Sequence, residues 1–290
     1  MKKAGIFAGG AAWGAYLVGV LTSKRPQYDA FIGTSTGALI ALFLALGRID
    51  PKFYDYLIHE YSNTDNREMY GRFSPFKRNG KVNKLFMIGA VIRMIKRDTN
   101  YMYDITPALR YKIRRYFKER HFDELRKRKI NVIVTSKNVD FKKSGTMYTS
   151  ILRDDMTYNR FVEHVVSSAA IPFFAKPVVV NGQQHVDGGV LDPIPTDNDL
   201  VGSYEEIEIW LAHSKQSEQP VANKADSWMK LALNLFNDIR YEIKMDDVNA
   251  VTDATVHHAR HMDWNSAHFD FTLMREAIKR GQDDFKDGMI

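Results

Sequence analysis

Short apolar runs alternate with glycine turns and helical patterns along the first part of the chain. Lys3–Phe7 and Tyr28–Ile32 have the length of strands, and each precedes a glycine-rich turn and then an apolar helical segment, Ala15–Thr22 and Ala38–Leu46. A strand that is covered on both faces of a parallel sheet has this continuous apolar pattern. The pattern predicts an α/β fold, a three-layer α/β/α sandwich with a mostly parallel central sheet.

The same kind of pattern predicts further elements downstream. Ile130–Ser136 is β-branched and continuous, as in a buried parallel strand, and Tyr158–Ala170 has a helical pattern. The run that follows predicts a hairpin with Asn181-Gly182 at its turn, and Glu206–Ser214 predicts another strand. From Asp226 onward the chain is charged and we expect it to be helical.

Charge is distributed unevenly along the 290 residues. The segment Arg72–Lys129 contains 18 Lys and Arg against 5 Asp and Glu, whereas the formal net charge of the whole chain is only +6. Such a basic region either contacts an anionic membrane surface or is a set of solvated helix faces. We expect no nucleic-acid partner, because no zinc-finger or RNA-binding signature accompanies the charge. Within this region, Val82–Arg97 is apolar in its middle, which fits a core helix or a lid.

The composition excludes some chemistry and some locations. The chain has no cysteine, which excludes disulfides, cysteine-ligated zinc and a thiolate nucleophile. The first residues imitate a secretory signal, but they are better interpreted as a strand, a turn and the start of a helix. No run reaches the roughly 18 apolar residues of a transmembrane helix. We therefore expect a cytoplasmic protein that can associate peripherally with a membrane.

The strongest local motif is a serine between two glycines. Gly33, Ser35 and Gly37 form a G-x-S-x-G arrangement between an apolar strand and an apolar helix. A strand that turns at once into a helix strains the backbone of the serine, and the flanking glycines leave room for this turn. The pattern predicts that the Ser35 hydroxyl is presented at the end of the strand as a nucleophile.

Two other glycine motifs are candidates for supporting roles. The segment "GGAAWG", Gly9–Gly14, is a turn whose N–H groups could converge on an anion. Its glycines do not have the spacing of a dinucleotide-binding motif, whereas an oxyanion hole beside Ser35 would explain both turns. Asp187, followed by Gly188 and Gly189, comes after a β-rich run and could be a turn residue or a catalytic carboxylate.

Together these motifs resemble a known family. The segments "GGAAWG", "GTSTG", "SSAAIPFF" and "HVDGGVLDPIP" have the order and spacing seen in the patatin-like phospholipases, over about Lys3 to Ser214. The resemblance implies a patatin-like fold and a lipid acyl hydrolase, that is a phospholipase A, lysophospholipase or carboxylester hydrolase. It implies that the substrate is a lipid, with phospholipid the expected class.

The resemblance also implies roles for individual residues. Ser35 would be the nucleophile and Asp187 its base, in a dyad without histidine. The backbone N–H groups of Gly10 and Ala11, with Gly9 shaping the loop, would form the oxyanion hole. The other glycines would maintain the sharp turn around Ser35, called the elbow below, and the two glycine turns near it. They are Gly14, Gly33, Gly37, Gly188 and Gly189.

The chain departs from the family pattern in its first motif. An alanine, Ala11, stands where the family usually has a third glycine, and Trp13 stands where it usually has arginine or lysine. Alanine still supplies a backbone N–H, so the oxyanion hole should survive. The loss of the cation at Trp13 leaves open how the loop is anchored.

Alternative functions remain open at this point. The order Ser35, Asp187, His213 would also suit the triad of an α/β-hydrolase, although Ala15–Ile32 has room for only one helix and one strand before the elbow, which favours the dyad. An inactive lipid-binding module is the alternative from a different class. His257 and His261 share a helical spacing, but no acidic partner follows a metal-binding pattern, so we expect neither a metal nor a cofactor.

The chain is expected to divide into two parts. Residues 1–215 would form a patatin-like catalytic domain with a basic helical insertion at about 52–129. Residues 216–290 would form a C-terminal helical extension.

Overall fold

A mixed sheet lies at the centre of the protein, and helices flank it. The computed structural model describes residues 1–64, 88–89, 92, 96, 101, 104–140, 145–172, 175–190, 192–212, 251, 253–259 and 273–290. Its strands are β1 (Lys3–Phe7), β2 (Ala30–Thr34), β3 (Asn131–Asn138), β4 (Gly145–Ser150), β5 (Val178–Val180), β6 (Gln183–Asp187), β7 (Glu206–Leu211) and β8 (Thr255–His258). The predicted α/β class is confirmed.

The helices of the described residues follow the predicted alternation with strands in the first part of the chain. They are α1 (Gly14–Lys24), α2 (Thr36–Gly47), α3 (Lys52–Asn63), α4 (Thr106–Tyr116), α5 (Glu119–Lys127), α6 (Tyr158–Ser168), α7 (Asn198–Val201) and α8 (Met274–Lys286). The predicted hairpin is also present, and both residues of its turn, Asn181 and Gly182, have the positive φ angles, 51° and 77°, that such a turn requires.

The sheet has a parallel centre and an antiparallel side. Its strand order is β5-β6-β3-β2-β1-β7-β8, and β4 also pairs with β3. The five strands β3, β2, β1, β7 and β8 are parallel to one another, whereas β4, β5 and β6 run antiparallel to their neighbours. The carboxyl ends of β1 and β2, adjacent in this order, therefore lie together at one edge of the sheet.

Both faces of the parallel strands are buried, which explains their continuous apolar sequences. On one face, Phe7 and Phe31 stack with their ring centroids 6.4 Å apart and belong to the large core that α1, α2 and α3 cover. On the other face, Ile6 and Ile32 pack in a smaller cluster with Ile194. Removal of apolar side chains from water on both faces drives this arrangement.

The described part of the C-terminal region packs on the rest of the fold. β8 extends the parallel sheet beside β7, and α8 lies against α1. The two helices can approach closely because Gly19 has no side chain, and a Cβ there would lie 2.1 Å from the Ile278 carbonyl oxygen. The buried Tyr16 hydroxyl also joins the helices by donating to Asp284 at 2.9 Å. The expectation of helix after Asp226 did not include the strand β8. The division of the chain at residue 215 stays a prediction.

Several predicted features fall outside the described residues. Most of Val82–Arg97, and both His213 and His261, belong to this group. Within the described helices, none combines the length and the hydrophobicity needed to cross a bilayer.

A pair of buried histidines lies where α6 packs on β6. His164 and His185 are 3% and 1% exposed, and their ring centroids are 5.9 Å apart. The hydroxyl of Ser136 lies 3.2 Å from His185 Nδ1, and that of Thr149 lies 3.4 Å from His164 Nδ1. Burial, followed by the nearby His185, lowers the pKa of His164 to about 4. The fold therefore favours neutral rings at this position.

We expect acid to destabilise the protein through His164. A histidine whose pKa is lowered on folding contributes stability that is complete above its unfolded pKa, near 6.5, and is lost as the pH falls toward the folded value. The shift corresponds to a loss of about 2 kcal/mol in the free energy of unfolding between pH 7 and pH 5. Urea unfolding at the two pH values measures it.

The matched variants are His164→Gln and His59→Gln. His59 is exposed, with 59% of its side chain accessible. His164→Gln should reduce the pH dependence of the unfolding free energy, and His59→Gln should leave it close to that of the wild type. An equal pH dependence in all three proteins would contradict the assignment.

Candidate active site

Ser35 occupies a sharp turn between β2 and α2. Its backbone angles, φ 58° and ψ −127°, are strained for a residue with a side chain. The turn is possible because Gly37 lies against β1, where an added Cβ would be 2.0 Å from the Phe7 carbonyl oxygen. An added Cβ at Gly33 would similarly lie 2.2 Å from the Gly37 carbonyl oxygen. The glycine spacing recognised in the sequence is thus a steric requirement of this turn.

The Ser35 hydroxyl meets the carboxylate of Asp187. Ser35 Oγ donates a hydrogen bond of 2.6 Å to Asp187 Oδ2, and the two residues are 6% and 4% exposed. The other carboxylate oxygen, Oδ1, accepts from the N–H of Gly189 at 2.7 Å. Asp187 therefore has one oxygen fixed by the backbone and the other directed at the serine.

The end of β6 and its glycine turn hold Asp187 at the level of Ser35. Asp187 pairs with Ser136 of β3, and the neighbouring residue on that strand, Thr135, pairs with Thr34 of β2. Gly188 then passes so close to β3 that an added Cβ would lie 2.6 Å from the Thr135 carbonyl oxygen. A larger residue at this position would displace the carboxylate from the serine.

The glycine loop after β1 reaches the same place. A Cβ added at Gly9 would lie 3.0 Å from Ser35 Cβ and 3.7 Å from its Oγ. Gly14, at the start of α1, is equally close to α2, since an added Cβ would lie 2.3 Å from Thr36 Cγ2. The predicted meeting of the two loops is therefore observed. The donor roles of Gly10 and Ala11, which follow Gly9 in this loop, stay predictions.

Ser168 takes part in the site, although its sequence context does not distinguish it from Ser167. Its buried hydroxyl accepts a hydrogen bond of 2.9 Å from the backbone N–H of Ser35. The neighbouring Ser167 instead donates to the carbonyl oxygen of His164 at 2.8 Å, within α6. Only the register of α6 distinguishes the two serines, which stand side by side in the segment "SSAAIPFF".

A cavity of about 90 Å³ begins at Ser35 and extends between α2, α3 and α4. Most of its lining is apolar and includes Leu39, Phe43, Leu57, Leu109, Ile113 and Met274. One ion pair also borders it, in which Lys112 Nζ lies 2.8 Å from Glu60 Oε2. A cavity of this composition suits a hydrocarbon chain that approaches the serine.

His257, one of the residues weighed as a metal ligand, has other contacts. Its ring stacks on Trp210 with the centroids 3.9 Å apart, and its Nε2 lies 3.3 Å from a carboxylate oxygen of Glu208. Among the described residues, no group of three or more His, Asp or Glu side chains could hold a metal ion.

The elbow and its carboxylate neighbour are of the kind found in hydrolytic enzymes with an α/β fold. A model of the patatin-like phospholipase family matches residues 5–200. The chain belongs to the patatin-like phospholipase family, and this assignment supports lipid acyl hydrolase activity.

The chain is also similar to two individual proteins, one of which is named as a probable lipid hydrolase. The chain is 29% identical over 233 residues to the uncharacterized protein YqhO of Bacillus subtilis (strain 168). The aligned region covers 75% of this chain and 68% of YqhO. It is 24% identical over 253 residues to the probable lipid hydrolase 463L of invertebrate iridescent virus 6, covering 85% of this chain and 76% of 463L.

The crystal structure of VipD from Legionella pneumophila is a match among solved structures. The alignment has a TM-score of 0.43 and 13% sequence identity. It covers 99% of this chain and 66% of VipD, so the chain spans just under two thirds of that protein.

We expect Ser168→Ala to lower kcat for ester hydrolysis about tenfold, with little change in KM. The Ser35 N–H would lose its acceptor, and a small displacement of a reacting group is enough to produce such a loss. Release of nitrophenol from a short-chain nitrophenyl ester measures the effect.

Ser167→Ala is the matched control, because it removes a buried hydroxyl one residue away that donates to the His164 carbonyl oxygen within α6. It should retain activity close to that of the wild type. Equal losses in the two variants would indicate a general effect on α6 and would refute the specific role of Ser168.

Proposed function

We propose that this protein hydrolyses acyl ester bonds of phospholipids or lysophospholipids, with Ser35 as nucleophile and Asp187 as general base. The hydrogen bond of 2.6 Å from Ser35 Oγ to Asp187 Oδ2 is the observation that carries the proposal. A serine hydroxyl is a weak nucleophile until a neighbouring base accepts its proton, and this carboxylate is already in place to do so.

In the first step, Ser35 Oγ attacks the ester carbonyl carbon while its proton moves to Asp187 Oδ2. The Gly189 N–H on Oδ1 keeps the carboxylate oriented during the transfer. The attack generates an oxyanion near the N-terminus of α2, where the helix dipole favours negative charge. The backbone N–H groups of Gly10 and Ala11 would donate to this oxyanion, and each such donor typically contributes about 10²–10³ in rate.

In the remaining steps, the protonated Asp187 returns its proton to the alcohol oxygen as the tetrahedral intermediate collapses. The alcohol leaves, and the acyl group stays on Ser35 as an ester. A water molecule then attacks this ester and gives its proton to Asp187, and the fatty acid is released as the proton returns to Ser35 Oγ.

Direct contact between serine and aspartate favours the dyad over a triad. In a triad the histidine stands between the two residues, hydrogen-bonded to both. A separation of 2.6 Å between Ser35 Oγ and Asp187 Oδ2 leaves no room for an imidazole ring between those two oxygens. The candidate third member, His213, lies outside the described residues.

The cavity and a relative support a lipid substrate. The mostly apolar space beside Ser35 would accept an acyl chain, and the relative 463L is named as a probable lipid hydrolase. A module that only binds lipid would need neither the strained backbone of Ser35 nor the hydrogen bond to its base.

The part of the basic segment in and just after α4 supports contact with an anionic membrane. Tyr111 and Arg115 are exposed four residues apart on one side of α4, and the exposed Lys118 follows two residues after the helix ends at Tyr116. Leu109 and Ile113, on the other side, line the cavity at Ser35. A basic, aromatic face next to the cavity would hold the protein at a lipid surface.

Replacement of either member of the dyad tests the reaction. We expect Ser35→Ala and Asp187→Asn each to lower kcat by about 10⁴-fold or more on a short-chain nitrophenyl ester and on mixed phospholipid vesicles. Fatty acid and lysophospholipid released from the vesicles identify the bond that is cleaved.

Ser167→Ala and Asp155→Asn are the matched controls. The buried Ser167 hydroxyl donates within α6, and Asp155 pairs with Arg153 at the surface. Both should retain wild-type turnover. An inactive wild type, or a folded Asp187→Asn with most of its activity, would refute the proposed mechanism.

Charge reversal tests the membrane contact. Lys118→Glu should weaken binding to phosphatidylglycerol vesicles about tenfold, because each basic side chain near an anionic surface contributes about 1 kcal/mol. Lys2→Glu changes the net charge equally just before β1, on the opposite edge of the sheet from Ser35, and should have a smaller effect. Equal weakening in a vesicle co-sedimentation assay would show that only net charge matters.

A further inference from the structure

The segment from Asp187 to Pro193 connects the candidate base, Asp187, with the glycine loop at Gly9, and both must be positioned relative to Ser35. At its start, Asp187 accepts the hydrogen bond from the serine. At its end, the carbonyl oxygen of Pro193 accepts from the N–H of Gly9, at 3.4 Å, in the loop that approaches Ser35. Any shift of this segment would therefore move the base and the glycine loop together.

Asp192 lies between these two ends and closes the segment on itself. Its backbone N–H donates to the carbonyl oxygen of Gly188 at 2.9 Å. Its side chain is turned inward and is only 8% exposed. A carboxylate at such a depth is costly unless a donor meets it.

Tyr148 provides that donor. Its hydroxyl donates a hydrogen bond to Asp192 Oδ2. Burial raises the pKa of Asp192, the hydrogen bond from Tyr148 opposes this rise, and the charge of Asp197 adds to it. The contact thus holds Asp192 by its side chain while the bond to Gly188 holds it by its backbone.

Tyr148 is paired with β3, the strand against which the turn after Asp187 rests. It lies on β4 opposite Thr135 of β3, and its ring packs against the cluster that contains Ile6 and Ile32. The carbonyl oxygen of Thr135 is the group against which Gly188 rests. The hydroxyl of Tyr148 therefore connects β4, through Asp192, to a segment whose start rests against β3.

We propose that Tyr148 and Asp192 are positioning residues, which hold the segment between Asp187 and Pro193 so that base and glycine loop face Ser35 together. The inference rests on the proposed function, since positioning matters only if Ser35 and Asp187 react. Neither residue touches the reacting atoms. Loss of their contact would let the segment shift and would displace Asp187 and the glycine loop from Ser35. A displacement of a catalytic group by about 1 Å can cost about 10²-fold in rate.

The experiment measures the reactivity of Ser35 in two ways. One is the rate at which a fluorophosphonate probe labels the serine, which needs no lipid binding, and the other is kcat and KM on a short-chain nitrophenyl ester. Tyr148→Phe, which removes one oxygen atom, should lower both the labelling rate and kcat by about 10- to 100-fold, with KM within about twofold of wild type.

Variants at Asp192 test whether the two residues act as a unit. Asp192→Ala should lower kcat to the same extent as Tyr148→Phe, and the double variant should be no worse than either single variant. Asp192→Asn keeps an oxygen that can accept from Tyr148 and should retain most of the activity. If Asp192→Ala fails to fold, Tyr148→Phe and Asp192→Asn still carry the test.

Tyr54→Phe is the matched control, because the Tyr54 hydroxyl is buried and, among the described residues, has no hydrogen-bond partner, and because Tyr54 packs against Gly47. It should label like wild type. The inference is overturned if Tyr148→Phe labels at the wild-type rate, or if its loss of kcat only follows a loss of melting temperature. Failure of the proposed function has a separate signature, in which wild type and Ser35→Ala label equally, and the inference then falls with it.

Discussion

The steric constraint at the β2–α2 turn determines the rest of the site. β2 ends at Thr34 and α2 begins at Thr36, so the backbone changes from extended to helical across Ser35 alone. Ser35 has a positive φ angle that residues with a side chain disfavour, and the surrounding structure must stabilise it. The stabilising contacts include the close approach of Gly37 to the end of β1 and the hydrogen bond from the Ser35 N–H to Ser168.

One short stretch at the end of α6 fixes the serine and the aspartate relative to each other. Ser168 accepts from the Ser35 N–H at 2.9 Å, and two residues later the carbonyl oxygen of Ala170 accepts from the Asp187 N–H, also at 2.9 Å. Ala169 and Ala170 are buried, and their small side chains allow both strands to come near. The distance between nucleophile and carboxylate therefore depends on backbone contacts as well as on their own hydrogen bond.

The parallel part of this arrangement is predictable from the sequence pattern. The apolar runs predicted β1 and β2, and adjacent parallel strands place their following loops at the same edge, so the meeting of Gly9 with Ser35 could be expected. Asp187 is different, because β6 runs antiparallel and reaches the level of Ser35 from beyond the carboxyl end of β3. No periodicity predicts that approach, and only the resemblance to a family singled out Asp187.

The features that the sequence did not predict depend on tertiary contacts. β4 contains "GTMYTS" and β8 only "TVHH", and neither has the continuous apolar run that identifies the buried strands. Their Thr, Tyr and Val residues favour strands, but it is pairing with β3 and β7 that places these short segments in the sheet. Tyr148 reaches Asp192 from β4, a strand whose place in the sheet depends on its pairing with β3. Their contact is therefore a tertiary one that no local motif predicts, although it acts on the same segment as the aspartate that the family motif identified.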